Sequence, residues 1–318
     1  MNNQNTLIQD MNDIQIISID PGFGDCKWFT ENRFGKFSTA IKRADASALK
    51  FDVKGGDISL NKDEYLFNGS KWYVGNTIAE MGALATRDYS FIEKFAPLIA
   101  FKAINDAQLD LTKPIKIKTC LSIMNYEHKD EFARALSTIN VNNQVLKCEV
   151  EVIAQGFASF IDYLANNNAD VNDIYTVTNI GFNTIDFCAI SGGQVVYSTA
   201  NPNGVNEMVK SLRQNLEHKF KIHFNEQEVK QIFLEKSITI SGKTIPLVDE
   251  INEIKVNYFD TFFYSLPDVQ DYLRKANKNI FAGGGAYFLE DAQMNANMTF
   301  VNKPYEYSDV RGVNSYEQ

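Results

Sequence analysis

Ile16-Ile17-Ser18-Ile19-Asp20-Pro21-Gly22-Phe23-Gly24-Asp25-Cys26-Lys27 reads as a β-branched run, a carboxylate, a glycine turn and a return strand. That is strand, tight turn, strand: a hairpin whose tip exposes backbone N–H groups. Tyr175-Thr176-Val177-Thr178-Asn179-Ile180-Gly181-Phe182-Asn183-Thr184-Ile185-Asp186-Phe187 repeats the pattern, with Asn179 in the place of the acid. Two such hairpins facing each other could grip a triphosphate from both sides. A third glycine cluster, Gly283-Gly284-Gly285, follows the apolar run Ile280-Phe281-Ala282. Together the three make nucleotide binding the leading expectation.

The bulk composition fits that expectation. A chain of 318 residues suggests about two domains. It is 44% hydrophobic, enough for real cores, and its net charge of −9 argues against a sequence-independent grip on DNA, which needs a basic face. Direct nucleic-acid binding is therefore not expected. The four cysteines, Cys26, Cys120, Cys148 and Cys188, form no C-x-x-C pair and sit among apolar residues, as buried reduced thiols of a cytoplasmic protein do. No apolar run is long enough to span a membrane, so no direct membrane partner is expected. Residues 1–13, rich in Asn and Gln, read as a flexible tail without a signal pattern.

Along the chain, Asn68-Gly69 between Tyr65-Leu66-Phe67 and Lys71-Trp72-Tyr73-Val74 signals a hairpin within a small β-rich subdomain over about 30–87. Phe91, Ile92, Phe95, Leu98, Ile99 and Ala103 recur at helical spacing, and Pro97 is expected to kink or interrupt that helix. A strand at 115–121, a helix at 128–138, a strand at 145–153 and a helix at 156–164 follow. After the second hairpin come a strand at 195–197, helices at 207–220 and 226–233, a hairpin at 238–247 and a long helix over 248–266. A last buried strand runs into the three glycines, and a helix start is expected at Tyr287. Residues 301–318 read as a polar, aromatic tail. The order strand-turn-strand, helix, strand, helix thus occurs twice, which suggests two related α/β halves with a cleft between them.

Asp20, at the end of a buried strand, can hold magnesium through waters, while the amides of Gly22 to Asp25 face phosphate oxygens and Lys27 adds a point charge. Taken alone, the first segment is better explained as a plain hairpin with a solvated acid, and the same holds for the amides of Gly181 to Thr184 in the second. Gly242-Lys243-Thr244 imitates the end of a P-loop, but its required first glycine is Ser237 and strands flank it, so it reads as a turn. His128, His218 and His223 lack metal-ligand spacing.

In this order the segments resemble the actin-fold ATPase superfamily, and within it the plasmid-partitioning actin-like proteins of the ParM/StbA type. Asp20 to Lys27 is similar to the first phosphate loop, Asn179 to Asp186 to the second, Phe281 to Tyr287 to the adenosine loop, and Tyr305 to Gly312 to the closing segment. The resemblance implies an α/β actin-like fold of two duplicated ribonuclease H-like halves with a nucleotide cleft between them. It implies a first domain over 14–170 completed by 288–318, and a second over 171–287. By resemblance Asp20 organises the magnesium shell, Gly22, Gly24 and Gly181 donate amides to phosphates, and Lys27 touches the β-phosphate. Asn183 and Thr184 belong to the second phosphate loop. Gln155, in Ile153-Ala154-Gln155-Gly156, matches the residue that positions the attacking water. Glu207 and Lys210 match contacts to ribose and adenine, and Gly283, Gly284 and Gly285 pass under the adenine and α-phosphate. One departure is Asn179, where the second loop usually starts with Asp. The amide keeps an acceptor but loses charge near magnesium, so binding should survive and hydrolysis slow.

The resemblance further implies Mg2+ and ATP, with GTP as an alternative, head-to-tail self-assembly into filaments, and a DNA-binding adaptor on a plasmid. A small-molecule kinase on the same fold, which needs a carboxylate base near an acceptor hydroxyl, and a scaffold actin with weak hydrolysis stay open as alternatives.

Overall fold

β-branched runs dominate the strands of both halves, and each half builds its sheet around the strand that leads into a glycine turn. The computed structural model describes residues 14–44, 63–79, 88–265, 267–290 and 296–317. The tail over 1–13 and much of the stretch before Gly75 therefore lie outside the described residues. The chain forms two compact units, Met1–Ala165 with Tyr307–Gln318, and Asn166–Glu306.

In the first unit the strands are β1 (Gln15–Pro21), β2 (Asp25–Phe29), β3 (Phe34–Ser38), β4 (Ile41–Arg43), β5 (Glu64–Phe67), β6 (Ser70–Val74), β7 (Ile115–Leu121), β8 (Thr138–Val141) and β9 (Gln144–Ala154). Six form one sheet in the order β3-β2-β1-β7-β9-β8. β1 pairs antiparallel with β2 and parallel with β7, which pairs parallel with β9. The helix Tyr89–Asp106 packs on this sheet through Phe95, Leu98, Ile99 and Ala103, against Ile17, Ile19 and Ile117. Each large side chain buried this way contributes about 1.5–3 kcal/mol. Pro97 does not interrupt it. The helix runs unbroken, because the carbonyl that Pro97 leaves unbonded belongs to Glu93, an exposed residue that water can serve. β4, β6 and β5 form a separate small sheet, closed at Asn68-Gly69 by a turn with both φ angles positive, as the sequence predicts.

The second unit contains β10 (Ile174–Ile180), β11 (Ile185–Ser191), β12 (Gln194–Asn201), β13 (Ser237–Ile240), β14 (Lys243–Pro246), β15 (Lys278–Ala282) and β16 (Met298–Phe300). Its main sheet runs β12-β11-β10-β15-β16, with the first three antiparallel and the last three parallel. The central order and strand senses match those of the first unit. Helices Asn206–Phe220, Glu226–Glu235 and Val248–Ser265 bury Leu212, Leu216, Val229, Phe233 and Ile251 in one cluster. The Ser241-Gly242 turn between β13 and β14 has positive φ at both residues, so the P-loop imitation is a hairpin tip.

Several elements depart from the sequence reading. A further helix, Pro267–Lys275, starts at the proline that ends its predecessor; proline suits a first helical position, where no N–H is needed. The segment after Gly283 is a six-residue 3-10 turn, Gly284–Leu289, and not the expected helix start at Tyr287. The tail folds into the helix Ser308–Ser315, which packs on β1 and β7. Among the described residues no helix is long and apolar enough to cross a membrane.

Candidate functional site

The first hairpin places a buried acid beneath a turn. Asp20 and Lys27 are direct cross-strand partners, and Lys27 Nζ donates to Asp20 Oδ2 at 3.2 Å. Gln155, just past the end of β9, donates from Nε2 to Asp20 Oδ1 at 2.9 Å. Its own N–H bonds the Leu121 carbonyl at 2.8 Å, which carries the end of β9 alongside β7 and so toward β1. Asp20 and Lys27 of one hairpin and Gln155 from far along the chain thus form one cluster around a carboxylate that is only 5% exposed. Burial works against the Lys27 charge, but Asp20 and Asp25 outweigh it and hold the ammonium above the ordinary lysine range.

The turn itself is pinned from behind. Thr39 N–H donates to the Gly24 carbonyl at 3.1 Å, and Thr39 Oγ1 to the Gly22 carbonyl at 2.6 Å. In a trans peptide the following N–H points opposite its carbonyl, so the amides of Phe23 and Asp25 face away from Thr39. A Cβ on Gly22 would lie 2.9 Å from the Asp25 carbonyl and 3.0 Å from Lys27 Nζ, so a side chain there would crowd the turn.

The second hairpin is pinned by a helix. Gly204, Val205 and Asn206 donate their N–H groups to the carbonyls of Asn183, Gly181 and Phe182 at 3.0, 3.1 and 2.8 Å. The amides of Phe182, Asn183 and Thr184 therefore point away from the start of the helix Asn206–Phe220. Gly181 N–H donates to the Thr184 carbonyl at 2.8 Å, across the mouth of the turn. The donors this turn presents outward are thus the three amides after Gly181.

Gly283 and Gly285 close the same region. Gly283 has φ of +78°, and a Cβ on it would lie 2.3 Å from Asn179 Oδ1 and 2.6 Å from the Ile180 carbonyl. A Cβ on Gly285 would lie 2.2 Å from Ile180 Cγ2 and 2.7 Å from Val205 Cγ1. Both glycines are required by the close approach of the chain to the end of β10. Gly284 meets only Glu306 Cβ, at the ordinary distance of 3.7 Å. Glu207 and Lys210 pair with each other on the first turn of the helix and are each 38% exposed at the side chain.

Two features escaped the sequence reading. Asn206 is buried, donates to Asn183 Oδ1 at 3.3 Å, and has a buried Oδ1 without a hydrogen-bond partner. Asn179 is the direct cross-strand partner of Asp186, so an acid absent from β10 stands opposite on β11. Asn206 carried only a weak signal, an Asn at a helix start; the facing of 179 and 186 follows from counting back from the turn. Among the described residues no group of three His, Cys, Asp or Glu side chains could hold a metal by itself.

A family of actin-like protein N-terminal domains matches residues 18–157, and the C-terminal domain of archaeal MreB-like actin homologues matches 177–295. The chain is an actin-fold protein. Among solved structures, the actin fold here is similar to a subunit of a 15-stranded ParM filament from Clostridium botulinum, with 16% identity, a TM-score of 0.77, and coverage of 95% of this chain and 98% of that one. The archaeal actin homologue Ta0583 in complex with ADP gives 12% identity and a TM-score of 0.73, covering 94% and 98%. Bacillus thuringiensis ParM with ATP gives 15%, 0.64, and 95% and 97%. At these identities the likeness is one of fold. No curated protein matches the sequence.

Proposed function

We propose that this actin-fold protein is an ATPase that binds Mg-ATP through its two glycine hairpins and assembles head-to-tail into nucleotide-dependent filaments that move DNA. The observation that carries the reading is the Asp20 cluster: a buried carboxylate under a pinned glycine turn, held between Lys27 and Gln155. A solvated acid on a plain hairpin would have neither partner.

The residues suit the ligand. Outward amides of each turn match phosphate oxygens, and Lys27 supplies a cation beside the first. Magnesium, when bound, neutralises phosphate charge. Asp20 would hold it through water, in the manner of a cation that keeps most of its hydration. Asn206 Oδ1 is a buried acceptor in want of a donor, which a ribose hydroxyl or the exocyclic amine of adenine would supply. Glu207, Lys210 and the Gly283–Gly285 backbone would hold the rest of the nucleoside. Gln155, its amide nitrogen bonded to Asp20, would position an attacking water.

Filament assembly is supported by the likeness to a ParM filament subunit, and a contact that does not close on itself yields such a polymer. We read the DNA partner as an adaptor protein on a plasmid, since the net charge of −9 disfavours direct binding, and the compartment as the cytoplasm. Asn179 favours a second reading in its detail, a scaffold filament with slow hydrolysis.

Light scattering and negative-stain images of purified protein with magnesium and ATP, GTP or no nucleotide test the proposal. Filaments that need nucleotide are expected, and Asp20→Ala should abolish them together with phosphate release. Nucleotide binding without polymer over a wide concentration range would overturn the filament reading.

A further inference from the structure

The last helix carries a carboxylate that nothing in the nucleotide reading uses. Asp309, on the helix Ser308–Ser315, is 5% exposed. Its Oδ1 accepts from the Gly156 N–H at 3.4 Å and from Ser159 Oγ at 2.7 Å. Ser159 Oγ also lies 2.8 Å from Ser308 Oγ, and both serines are essentially fully buried.

Gly156 directly follows Gln155 and stands before the helix Phe157–Asn166. It has a φ of +78° and no side chain with which to cap that helix. Asp309 supplies the missing cap from the other end of the chain, as an anion at a helix N-terminus. Other contacts tie the two helices together farther from Gly156. Arg311 grips Asp162 with two hydrogen bonds of 2.8 and 2.7 Å, and a Cβ on Gly312 would fall 1.8 Å from the Ala158 carbonyl. Lys118 Nζ accepts no freedom for the far end, donating to the carbonyls of Asn314 and Tyr316 at 3.1 and 2.6 Å.

We infer that Asp309 is a positioning residue: by capping the Gly156 turn it fixes the Gln155 amide against Asp20. The C-terminal helix thereby sets the geometry of the residue to which we assign the attacking water. This inference rests on the proposed role of Gln155. A loss of position of about 1 Å at such a residue costs up to about 100-fold in rate.

The test compares single-turnover hydrolysis, nucleotide affinity and melting temperature for the parent, Gln155→Ala, Asp309→Ala, Asp309→Asn and the Gln155→Ala/Asp309→Ala double variant. Arg311→Gln serves as the control that loosens the same helix away from Gly156. Asp309→Ala should lower the rate about 10- to 100-fold with affinity within about twofold. Asp309→Asn, which keeps an acceptor oxygen, should retain most of the rate. The double variant should be no slower than Gln155→Ala alone, and Arg311→Gln should lower melting temperature while keeping the rate. A full rate in folded Asp309→Ala, or additive losses in the double variant, would overturn the inference. Should Asp309→Ala not fold, Ser159→Ala takes its place and a several-fold loss is expected; an unchanged rate overturns. A parent that neither binds nor hydrolyses nucleotide refutes the proposed function instead. Crystal structures then decide the positioning on its own: the Gln155–Asp20 contact should be lost in the Asp309 or Ser159 variant, and its survival there overturns the inference.

Discussion

Replacing Asn179 by Asp restores the residue usual in the second loop of the resembling family, yet the structure predicts a cost. Asn179 and Asp186 are cross-strand partners, 3% and 1% exposed. Side chains in such positions lie roughly 5 Å apart. Two negative charges at that distance, with an effective dielectric of about 20, repel by about 3 kcal/mol. Asn and Asp have nearly the same shape, so packing changes little. The Asn179→Asp variant without nucleotide should therefore melt roughly 6–12 °C below the parent at neutral pH. Asp186→Asn together with Asn179→Asp moves the single charge across the strand pair and should recover most of the loss. Thermal and urea unfolding of the parent, both single variants and the double variant form a complete cycle. A coupling energy below about 0.5 kcal/mol would refute the reasoning, because two facing buried acids cannot be indifferent to each other. Turnover is best read in the double variant, where the site's net charge is conserved; a gain over the parent is expected there.

Other outcomes follow from the same geometry. Gly312→Ala should destabilise the protein by about 3 kcal/mol or more, since its methyl group meets backbone and cannot be repacked; chemical denaturation measures it, and a loss under about 1 kcal/mol would contradict the contact. The Asp20–Lys27 pair raises the lysine in the folded state, so its contribution is fully present below the ordinary lysine pKa and lost only as pH rises through the folded value; stability differences between the parent and Lys27→Met should stay flat from about pH 7 to 9. A change inside that window would count against the assignment. Burial, and after it the Asp20 charge, pushes the Cys26 and Cys120 thiols well up. Both should resist alkylation at pH 8 in the folded protein and react in urea, and rapid native labelling would show that the sheet opens.

Much of the candidate site's local structure was legible because glycine turns leave a local mark. The strands at 15–21 and 174–180, the turns after them and the strand before Gly283 all follow from β-branched runs stopped by glycine. The helix Ser308–Ser315 was not legible. Its sequence, Ser-Asp-Val-Arg-Gly-Val-Asn-Ser, holds a helix-weakening glycine and few apolar residues. It forms because Gly312 admits the Ala158 carbonyl and Asp309 and Arg311 find buried partners on another helix. The expected helix at Tyr287 failed for a related reason. Gly283 and Gly285 must fit against Ile180 and Val205, and that close approach shapes a 3-10 turn there.

The sequence by itself determined the repeated hairpins, the two α/β halves and the identity of Asp20, Lys27 and the glycines as candidate site residues, because alternation and turn chemistry act between neighbours in the chain. Only the tertiary structure decided that Gln155 reaches Asp20 and that Asp309 caps the turn after Gln155. Those are meetings of residues distant in sequence, made by parallel strand pairing and helix docking, and no local preference encodes them.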